Sequence, residues 1–328
     1  MYIFVDGGNR EQSELSEERQ YELFMERINN GEKIEPNDWM PDDYRHSLIR
    51  LISMHGMSEI MGALPEKEWT PKAPSLKRKL AIMAKVQDEM GHGQLLLRVA
   101  EDLQKPDGIS RKEMMEGLLE GKIRFHNVFH NATKSWADAA IIAWLVDGAA
   151  IITQTNMLNA SYGPYQRALQ RICAEEVFHA QHGEALVMAL ANGTKEQREM
   201  LQDALNRWWE SLVMFFGPPS ANVTGSSRQD LMVKYKIRIN TNEELRQAFF
   251  DKYVPRIKAL GLTIPDETLA YDEEKKEWTY QQPDWSKFKQ IINNNGPKSK
   301  ERLRLRKIAY ENGSWVRRAL AQRSEAVV

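Results

Sequence analysis

The chain has 328 residues, and its 45 basic residues nearly cancel its 46 acidic residues, leaving a formal net charge of −1. This balance excludes a broadly basic surface of the kind that binds nucleic acid or an anionic membrane, so any anion site must be local. Cys173 is the single cysteine, which excludes a disulfide framework, a four-cysteine zinc site and a cysteine-ligated iron–sulfur cluster within the chain. No uninterrupted apolar run reaches membrane-spanning length, so we expect a soluble, cytoplasmic protein.

The first two thirds of the chain predict a long helical domain. Residues 1–15 combine glycine with polar residues and show no helical period, so we expect a flexible leader before a bundle at residues 16–216. Pro65 is expected to end the first long helix, because proline cannot continue the hydrogen-bond ladder. Apolar residues at helical spacing predict four long helices and one shorter helix, at residues 41–64, 74–103, 135 to beyond 151, 163–191 and, for the shorter helix, 111–119.

The last third, residues 217–328, predicts a loop followed by a helical extension that contacts substrate and partners. Residues 217–228 are rich in proline, serine and glycine and predict a long loop. Helices are predicted near residues 242–260 and 300–321. A small hairpin is predicted from residues 269–271 and 278–280, which flank a charged turn.

Two Glu-x-x-His motifs, Glu89 to His92 and Glu176 to His179, are the strongest chemical signal. Residues three apart on a helix share a face, so each carboxylate and imidazole can bind the same metal ion. Apolar residues occupy the same faces, which predicts that these acids point into the core. A buried carboxylate is costly unless it is paired or metal-bound, so the pattern indicates a cation.

A bundle with two metal ions also needs one carboxylate from each of two further helices. Glu59 lies thirty residues before Glu89, and Asp147 lies twenty-nine residues before Glu176. Glutamate is usual at the last position, but residues 121–174 contain none, and Asp147 is the acid embedded in an apolar helix there. Four carboxylates would balance two divalent cations. The predicted metal ligands are Glu59, Glu89, His92, Asp147, Glu176 and His179, and the four carboxylates are also the predicted catalytic residues.

Several neighbours of these ligands have two readings. Asp88 and Glu175 either accept a hydrogen bond from the opposite ligand histidine or are solvated helix acids. His55 is either a partner of Glu59 or, as we expect, a satisfied core histidine, and Cys173 is expected to be a small core residue near the metals. Oxygen and nitrogen ligands suit iron or manganese, and iron is usual for oxygen chemistry.

The predicted helices and metal ligands together predict a mainly α protein with a ferritin-like four-helix bundle, additional helices and a C-terminal extension. The sequence has no dinucleotide-binding glycine motif, no P-loop and no cysteine cluster. An oxygenase built on this chain would therefore need a separate reductase.

The chain closely resembles the catalytic oxygenase subunit of the ring-1,2-phenylacetyl-CoA epoxidase family from about residue 35 to residue 318. The motifs that carry the resemblance are Asn37-Asp38-Trp39-Met40-Pro41, Ala84-Lys85-Val86-Gln87-Asp88-Glu89-Met90-Gly91-His92, Trp144-Leu145-Val146-Asp147-Gly148-Ala149-Ala150, Ser161-Tyr162-Gly163-Pro164-Tyr165 and Met214-Phe215-Phe216-Gly217-Pro218.

This resemblance implies a di-iron enzyme that uses O2 and NADPH-derived electrons to convert phenylacetyl-CoA to its ring-1,2-epoxide. It also implies three protein partners: a flavin and iron–sulfur reductase, a ferritin-like structural subunit, and a small bridging subunit. It further implies a coenzyme A site at Arg50, Arg124, Lys236, Arg238 and Asn242. Lysine is expected in relatives where Arg124 and Arg238 stand here, which keeps the charge and changes the hydrogen-bond geometry.

Three alternatives remain open from the sequence. The first is an epoxidase of another aryl-CoA, such as benzoyl-CoA. The second is an iron-storage or peroxide-detoxifying ferritin, which the long loop and the extension disfavour because a storage ferritin needs only the bundle. The third is a metal-free scaffold subunit, which the complete set of predicted ligands disfavours.

Overall fold

The structure is a computed structural model that describes residues 15–219, 228–296 and 299–325. The expected leader at residues 1–15, except its last residue, lies outside the described residues. The predicted loop at residues 217–228 also lies outside them, except at its two edges.

The described parts of the chain are mainly helical, with one two-stranded sheet. The elements are α1 (Glu17–Asn29), α2 (Asp42–Trp69), α3 (Leu76–Gln104), α4 (Arg111–Leu119), α5 (Trp136–Thr155), α6 (Gly163–Ala191), α7 (Lys195–Val213), α8 (Arg228–Lys234), α9 (Asn242–Ala259), β1 (Ala270–Asp272), β2 (Glu277–Thr279), α10 (Trp285–Gln290), α11 (Ser299–Asn312) and α12 (Ser314–Glu325).

Four of these helices form a closed bundle. Helix α2 packs along α3, α3 packs on α6, α6 packs on α5, and α5 returns to α2. These are the four helices that carry the predicted ligands, so the predicted ferritin-like bundle is confirmed. One apolar cluster lies around α5, α7, α9 and the C-terminal half of α6, and a second lies around α1 to α4 and the N-terminal half of α6.

Capping residues account for many of the helix ends. Ser110 and Glu113 form a capping box at the start of α4, and the predicted limits of α4 and α6 are confirmed. The prediction that Pro65 ends α2 is wrong, since the helix continues to Trp69. Proline removes one hydrogen bond, and packing of α2 along α3 holds the helix together through this position.

Helix α5 is long and apolar enough to cross a membrane, but most of it is buried inside the protein, as expected for the core helix of a bundle. Its middle, Ile142–Val146, is a π-helical turn immediately before Asp147. Such turns are frequent at functional sites. The turn passes so close to α6 that a Cβ atom on Gly183 would clash with the Ala143 carbonyl oxygen.

The C-terminal extension packs against the bundle. His130 Nδ1 lies 2.7 Å from Ser299 Oγ, and Arg302 donates to the Asn131 carbonyl oxygen at 2.8 Å. The predicted hairpin is confirmed, with Tyr271 opposite Trp278. The predicted helix over residues 300–321 is divided at Gly313 into α11 and α12. The proposed division of the chain at residue 216 stays a prediction.

Candidate metal centre

The fold brings all six predicted ligands together in the interior of the bundle. Each of these six residues is at most 7% exposed. Glu59 is on α2, Asp147 follows the π-turn of α5, and the two Glu-x-x-His pairs face each other from α3 and α6. Burial of four acids and two histidines within one bundle is costly unless cations compensate them.

The ligand atoms form two neighbouring groups that share one residue. Glu59, Glu89, His92 and Glu176 each offer an atom within 4.8 Å of the others, and so do Asp147, Glu176 and His179. Glu176 belongs to both groups. The arrangement could therefore hold two adjacent cations with a carboxylate between them, as a di-metal bundle requires. Metal binding by these six residues stays a prediction.

The inward nitrogen of His92 fits a metal ligand. His92 Nδ1 has no hydrogen-bond partner among the described residues. It faces Glu59 Oε2 at 3.6 Å and Glu176 Oε1 at 3.8 Å, which is too far for hydrogen bonds. Nitrogen and oxygen atoms at this separation can share one metal ion bound at about 2.0–2.2 Å from each.

The outward nitrogens of the two histidines are held by acids from the opposite helix. His92 Nε2 donates to Glu175 Oε2 at 2.7 Å, and His179 Nε2 donates to Asp88 Oδ2 at 3.2 Å. Of the two readings that the sequence left open for Asp88 and Glu175, the structure shows the hydrogen bond to the opposite histidine. These bonds orient both rings so that each Nδ1 faces the carboxylates, and His179 Nδ1 lies 3.1 Å from Glu176 Oε2.

The protonation of the cluster is strongly perturbed by burial and by its charges. Burial, together with the neighbouring carboxylates, raises the pKa of Glu89 well above its ordinary value, and burial also raises the pKa of Glu176. Burial lowers the pKa of His92, but Glu59 and Glu175 outweigh this effect and raise it to about 9. Cations that enter the site must displace protons from these groups, so metal binding should depend on pH.

Two charged residues of the site, Lys85 and Glu66, were not predicted from the sequence. Lys85, which is 1% exposed, places its Nζ 2.7 Å from Glu66 Oε1, 2.9 Å from Asp147 Oδ2 and 3.3 Å from Glu89 Oε1. Glu66 is 2% exposed. Lys85 and Glu66 add one positive and one negative charge, so the balance of four ligand carboxylates against two divalent cations is unchanged.

His55 contacts the predicted ligand Glu59, the alternative that the sequence analysis disfavoured, and both nitrogens of its ring have partners, as expected for a satisfied histidine. His55 Nε2 lies 2.9 Å from Glu59 Oε1, and its Nδ1 lies 3.1 Å from the Tyr165 hydroxyl. Gln154 also reaches His55 Nε2 at 3.3 Å, and Cys173 Sγ lies 3.8 Å from Gln154 Oε1. Burial raises the pKa of Cys173 to about 11, which keeps it a thiol, as expected for a small core residue.

A cavity of about 340 Å³ adjoins the carboxylate cluster. Glu59, Glu89, Asp147 and Glu176 form part of its wall. Most of the remaining wall is apolar and includes Leu51, Met54, Phe129, Ile142, Val146, Ala150, Met157, Phe215, Phe216, Leu245, Phe288 and Ile292. This size and lining suit a small apolar group held next to the cluster.

Two of the five predicted coenzyme A residues line this cavity. Arg238 Nη1 donates to Asn242 Oδ1 at 2.7 Å, and both residues belong to the cavity wall. Arg238 Nε has no hydrogen-bond partner among the described residues, and burial lowers the pKa of this guanidinium to about 10. Arg50, Arg124 and Lys236 are exposed and do not line the cavity. Their contact with coenzyme A stays a prediction.

The four-helix bundle defines a ferritin-like helical protein, and its buried carboxylate–histidine cluster is compatible with metal binding. A family model described as phenylacetic acid catabolic protein matches residues 17–315. The chain is also similar to one of the subunits of the 1,2-phenylacetyl-CoA epoxidase of Escherichia coli (strain K12), with 46% identity over 300 residues, which cover 92% of this chain and 95% of that protein. The chain belongs to the phenylacetic acid catabolic protein family.

Proposed function

We propose that this chain is the oxygen-activating subunit of a cytoplasmic multicomponent monooxygenase that converts phenylacetyl-CoA to its ring-1,2-epoxide. The electrons come from NADPH through a separate flavin and iron–sulfur reductase. A ferritin-like structural subunit, together with a small bridging subunit, completes the assembly. The similarity to one of the subunits of a phenylacetyl-CoA epoxidase supports this proposal.

The observation that carries the proposal is the apolar cavity that meets the carboxylate cluster. One wall contains Glu59, Glu89, Asp147 and Glu176, and most of the rest is aliphatic or aromatic. A storage ferritin needs no apolar binding site beside its metal ligands. An enzyme that oxidises an aromatic ring needs one, because the ring must be held against the metals and water must be excluded.

The six predicted ligands would hold two iron ions, with Glu176 between the two positions. Bound iron would supply the activation of O2, which the side chains alone cannot perform. The chain's own contribution is positional. Asp88 and Glu175 orient the two histidines, and the Lys85–Glu66 pair adds no net charge to the cluster.

The polar end of the substrate would be held at the cavity by Arg238 and Asn242. Arg238 is a partly buried cation whose Nε has no hydrogen-bond partner within the part of the chain that the structure describes, and guanidinium groups form strong hydrogen bonds with anionic or carbonyl oxygens. The aryl end would then lie among the apolar residues. Arg50, Arg124 and Lys236 would contact the phosphates outside the cavity.

The test is turnover by the reconstituted complex, supplied with iron, NADPH and O2, with phenylacetyl-CoA and benzoyl-CoA compared at equal concentration. We expect epoxide formation from phenylacetyl-CoA, coupled to NADPH oxidation, and none when the reductase is omitted. Ala150→Phe places a larger side chain in the wall and fills part of the cavity. This variant should lower kcat/KM by at least about tenfold, since a substrate ring held out of position loses most of its reactivity. Its iron content should remain that of the wild type.

Three results would contradict this proposal. Faster turnover of benzoyl-CoA would change the substrate. Iron uptake and peroxide consumption without any response to acyl-CoA would indicate a ferritin. A wild-type protein that binds no metal would indicate a scaffold subunit.

A further inference from the structure

Phe215 and Phe216 are two aromatic residues of the cavity wall that lie in a short turn rather than in a long helix. A 3-10 helix, Met214–Phe216, follows the end of α7, and Gly217 ends it with a positive φ of 81° and also lines the cavity. We call residues 214–217 the wall turn. A single 3-10 turn makes few hydrogen bonds of its own, so contacts with the rest of the protein must hold these two rings in place.

Arg246, on α9, binds the backbone at both ends of the wall turn. Its Nε donates to the Val213 carbonyl oxygen at 3.0 Å, and its Nη2 donates to the Gly217 carbonyl oxygen. Val213 precedes the turn and Gly217 is its last residue, so one planar guanidinium group fixes the separation of the two ends. The guanidinium presents its donors in a rigid fork, which the single ammonium group of lysine cannot reproduce.

The guanidinium group of Arg246 is itself held by neighbours on α9 and in the C-terminal extension. Arg246 is 0% exposed. Its Nη1 donates to the Tyr280 hydroxyl at 3.1 Å and to the Glu243 carboxylate, and its Cζ lies 5.4 Å from the centre of the Trp285 ring. A buried cation is costly unless it is paired and hydrogen-bonded. These partners offset that cost and give the wall turn a fixed anchor.

His126 binds the wall turn in its middle. Its Nε2 donates to the Phe215 carbonyl oxygen at 2.9 Å, and the centres of the His126 and Phe215 rings are 3.9 Å apart. Burial lowers the pKa of His126 to about 3, so the ring is neutral at pH 7. A carbonyl oxygen can only accept, so the one ring proton is on Nε2. The carbonyl groups of residues 213, 215 and 217 are therefore each bound by a side chain from another part of the chain.

The wall turn is also joined to the predicted coenzyme A residues that line the cavity. Asn242 Nδ2 donates to the Pro218 carbonyl oxygen at 3.1 Å, and Asn242 Oδ1 accepts from Arg238 at 2.7 Å. A Cβ atom on Gly217 would lie 2.9 Å from Asn242 Nδ2, so glycine permits this close contact. Arg246 lies one helical turn after Asn242. Helix α9 therefore holds the polar end of the cavity and its aromatic wall in a fixed relation.

We propose that Arg246 and His126 are positioning residues that set the acyl-group selectivity of the cavity by fixing Phe215 and Phe216 in its wall. The proposal rests on the proposed function in one respect, that the cavity receives the acyl group of an aryl-CoA. Misplacement of a reacting group by about 1 Å can cost about a hundredfold in rate, so a mobile wall would be costly. An arginine that served only to end α7 would leave acyl selectivity unchanged.

The first experiment measures Kd for phenylacetyl-CoA and for acetyl-CoA by calorimetry in the complex, without NADPH. Arg246→Met keeps the length of the side chain and removes its donors. It should raise Kd for phenylacetyl-CoA at least about tenfold, because the ring then meets a wall that is no longer preorganised. Kd for acetyl-CoA, which has the coenzyme A part and no ring, should change by less than about threefold. Arg246→Lys keeps the charge and should give an intermediate value.

Two further variants separate positioning from loss of stability. Arg207→Met is the matched control, since Arg207 Nη2 lies 2.8 Å from the buried carboxylate of Asp138 and neither residue lines the cavity. It should destabilise the protein but leave the ratio of the two Kd values within about twofold of the wild type. His126→Phe keeps a ring against Phe215 and loses the hydrogen bond. It should reduce the preference for phenylacetyl-CoA at least about threefold, whether or not Arg246→Met folds.

Amide hydrogen exchange of the chain without substrate tests whether the wall turn is held. The Gly217 N–H donates to the Met214 carbonyl oxygen at 2.9 Å. Peptides that contain residues 214–217 should exchange at least about fivefold faster in Arg246→Met and in His126→Phe than in the wild type, because the turn opens more often. The same peptides in Arg207→Met should exchange within about twofold of the wild-type rate.

Three results would overturn the proposal: a wild-type ratio of the two Kd values in the folded Arg246 and His126 variants, wild-type exchange of the wall turn in both, and an equal loss of selectivity in Arg207→Met. The last result would assign the effect to general destabilisation. A wild type that prefers phenylacetyl-CoA to acetyl-CoA but forms no epoxide would contradict the proposed function alone. A wild type with equal affinity for both thioesters would contradict both.

Discussion

Replacing Lys85 with methionine should destabilise the protein by about 3–5 kcal/mol. Lys85 Nζ lies 2.7 Å from Glu66 Oε1, and two unit charges at this distance attract each other by about 6 kcal/mol at an effective dielectric constant near 20. Part of this attraction offsets the cost of burying both groups. Methionine preserves the volume but leaves Glu66 without its one side-chain hydrogen bond among the described residues, and removal of one partner of a buried pair usually costs about 3–5 kcal/mol.

The assay is the free energy of unfolding at pH 7 from urea denaturation followed by circular dichroism, with metal content matched between samples. The double variant Lys85→Met/Glu66→Leu removes both charges and should recover most of the lost stability, because a buried pair replaced by apolar residues is often neutral. Lys77→Met, at an exposed position of the same helix, is the control and should change stability by less than about 0.5 kcal/mol. The reasoning is refuted if Lys85→Met is as stable as Lys77→Met, or if the double variant is no more stable than Lys85→Met.

Three further predictions concern the metal, the substrate and acid stability. Glu89→Ala should lower bound metal by at least one ion per chain, as measured by elemental analysis, and full occupancy would contradict its assignment as a ligand. Arg238→Ala should raise KM for phenylacetyl-CoA about ten- to a hundredfold with a smaller change in kcat, because a charge-assisted hydrogen bond contributes about 1.5–3 kcal/mol to ground and transition states alike; a collapse of kcat at wild-type KM would place this residue in the chemistry. Burial lowers the pKa of His130 from 6.5 to about 4, so as the pH falls the unfolded chain binds this proton before the folded protein does. The contribution of His130 to the free energy of unfolding should therefore be fully present above pH 6.5, and it should decrease by about 3 kcal/mol as the pH is lowered to 4. His130→Gln should lack this share of the acid sensitivity, and an unchanged pH profile would contradict the cause.

The helices that carry the candidate centre could be predicted because their signals are local. The capping residue Ser75 precedes α3, and Gly163 with Pro164 begins α6, at positions that local sequence determines. The Glu-x-x-His spacing then places carboxylate and imidazole on one helix face. Residue spacing alone was therefore sufficient to find the two motifs and the acids that precede each of them.

Lys85 and Glu66 were missed because a charged helix residue is usually exposed. A signal was present, since Lys85 stands four residues before Glu89 and Glu66 stands seven residues after Glu59, which places each on the face of a predicted ligand. The sequence could not show that the two would meet. Their contact depends on the packing of α2 against α3.

The positions of the predicted coenzyme A residues in the fold could not be predicted from local sequence patterns. Arg238 and Asn242 line the cavity, whereas Arg50, Arg124 and Lys236 lie on the surface. The position of such residues depends on how irregular segments cross the bundle. Lys236, for example, has a positive φ of 52°, a backbone conformation that side chains other than glycine rarely adopt and that no pattern in the sequence indicates.

The contact between Gly183 and the Ala143 carbonyl affects how relatives of this protein should be compared. Glycine at position 183 lets the backbones of α5 and α6 touch one turn from His179, so the separation of Asp147 from Glu176 depends on a missing side chain. A relative with all six ligand residues but alanine at this position would have to hold the two helices farther apart. It would keep every ligand in its sequence and still present a wider site, which would favour a different ion or none. Functional assignment within the family should therefore consider this glycine together with the ligands.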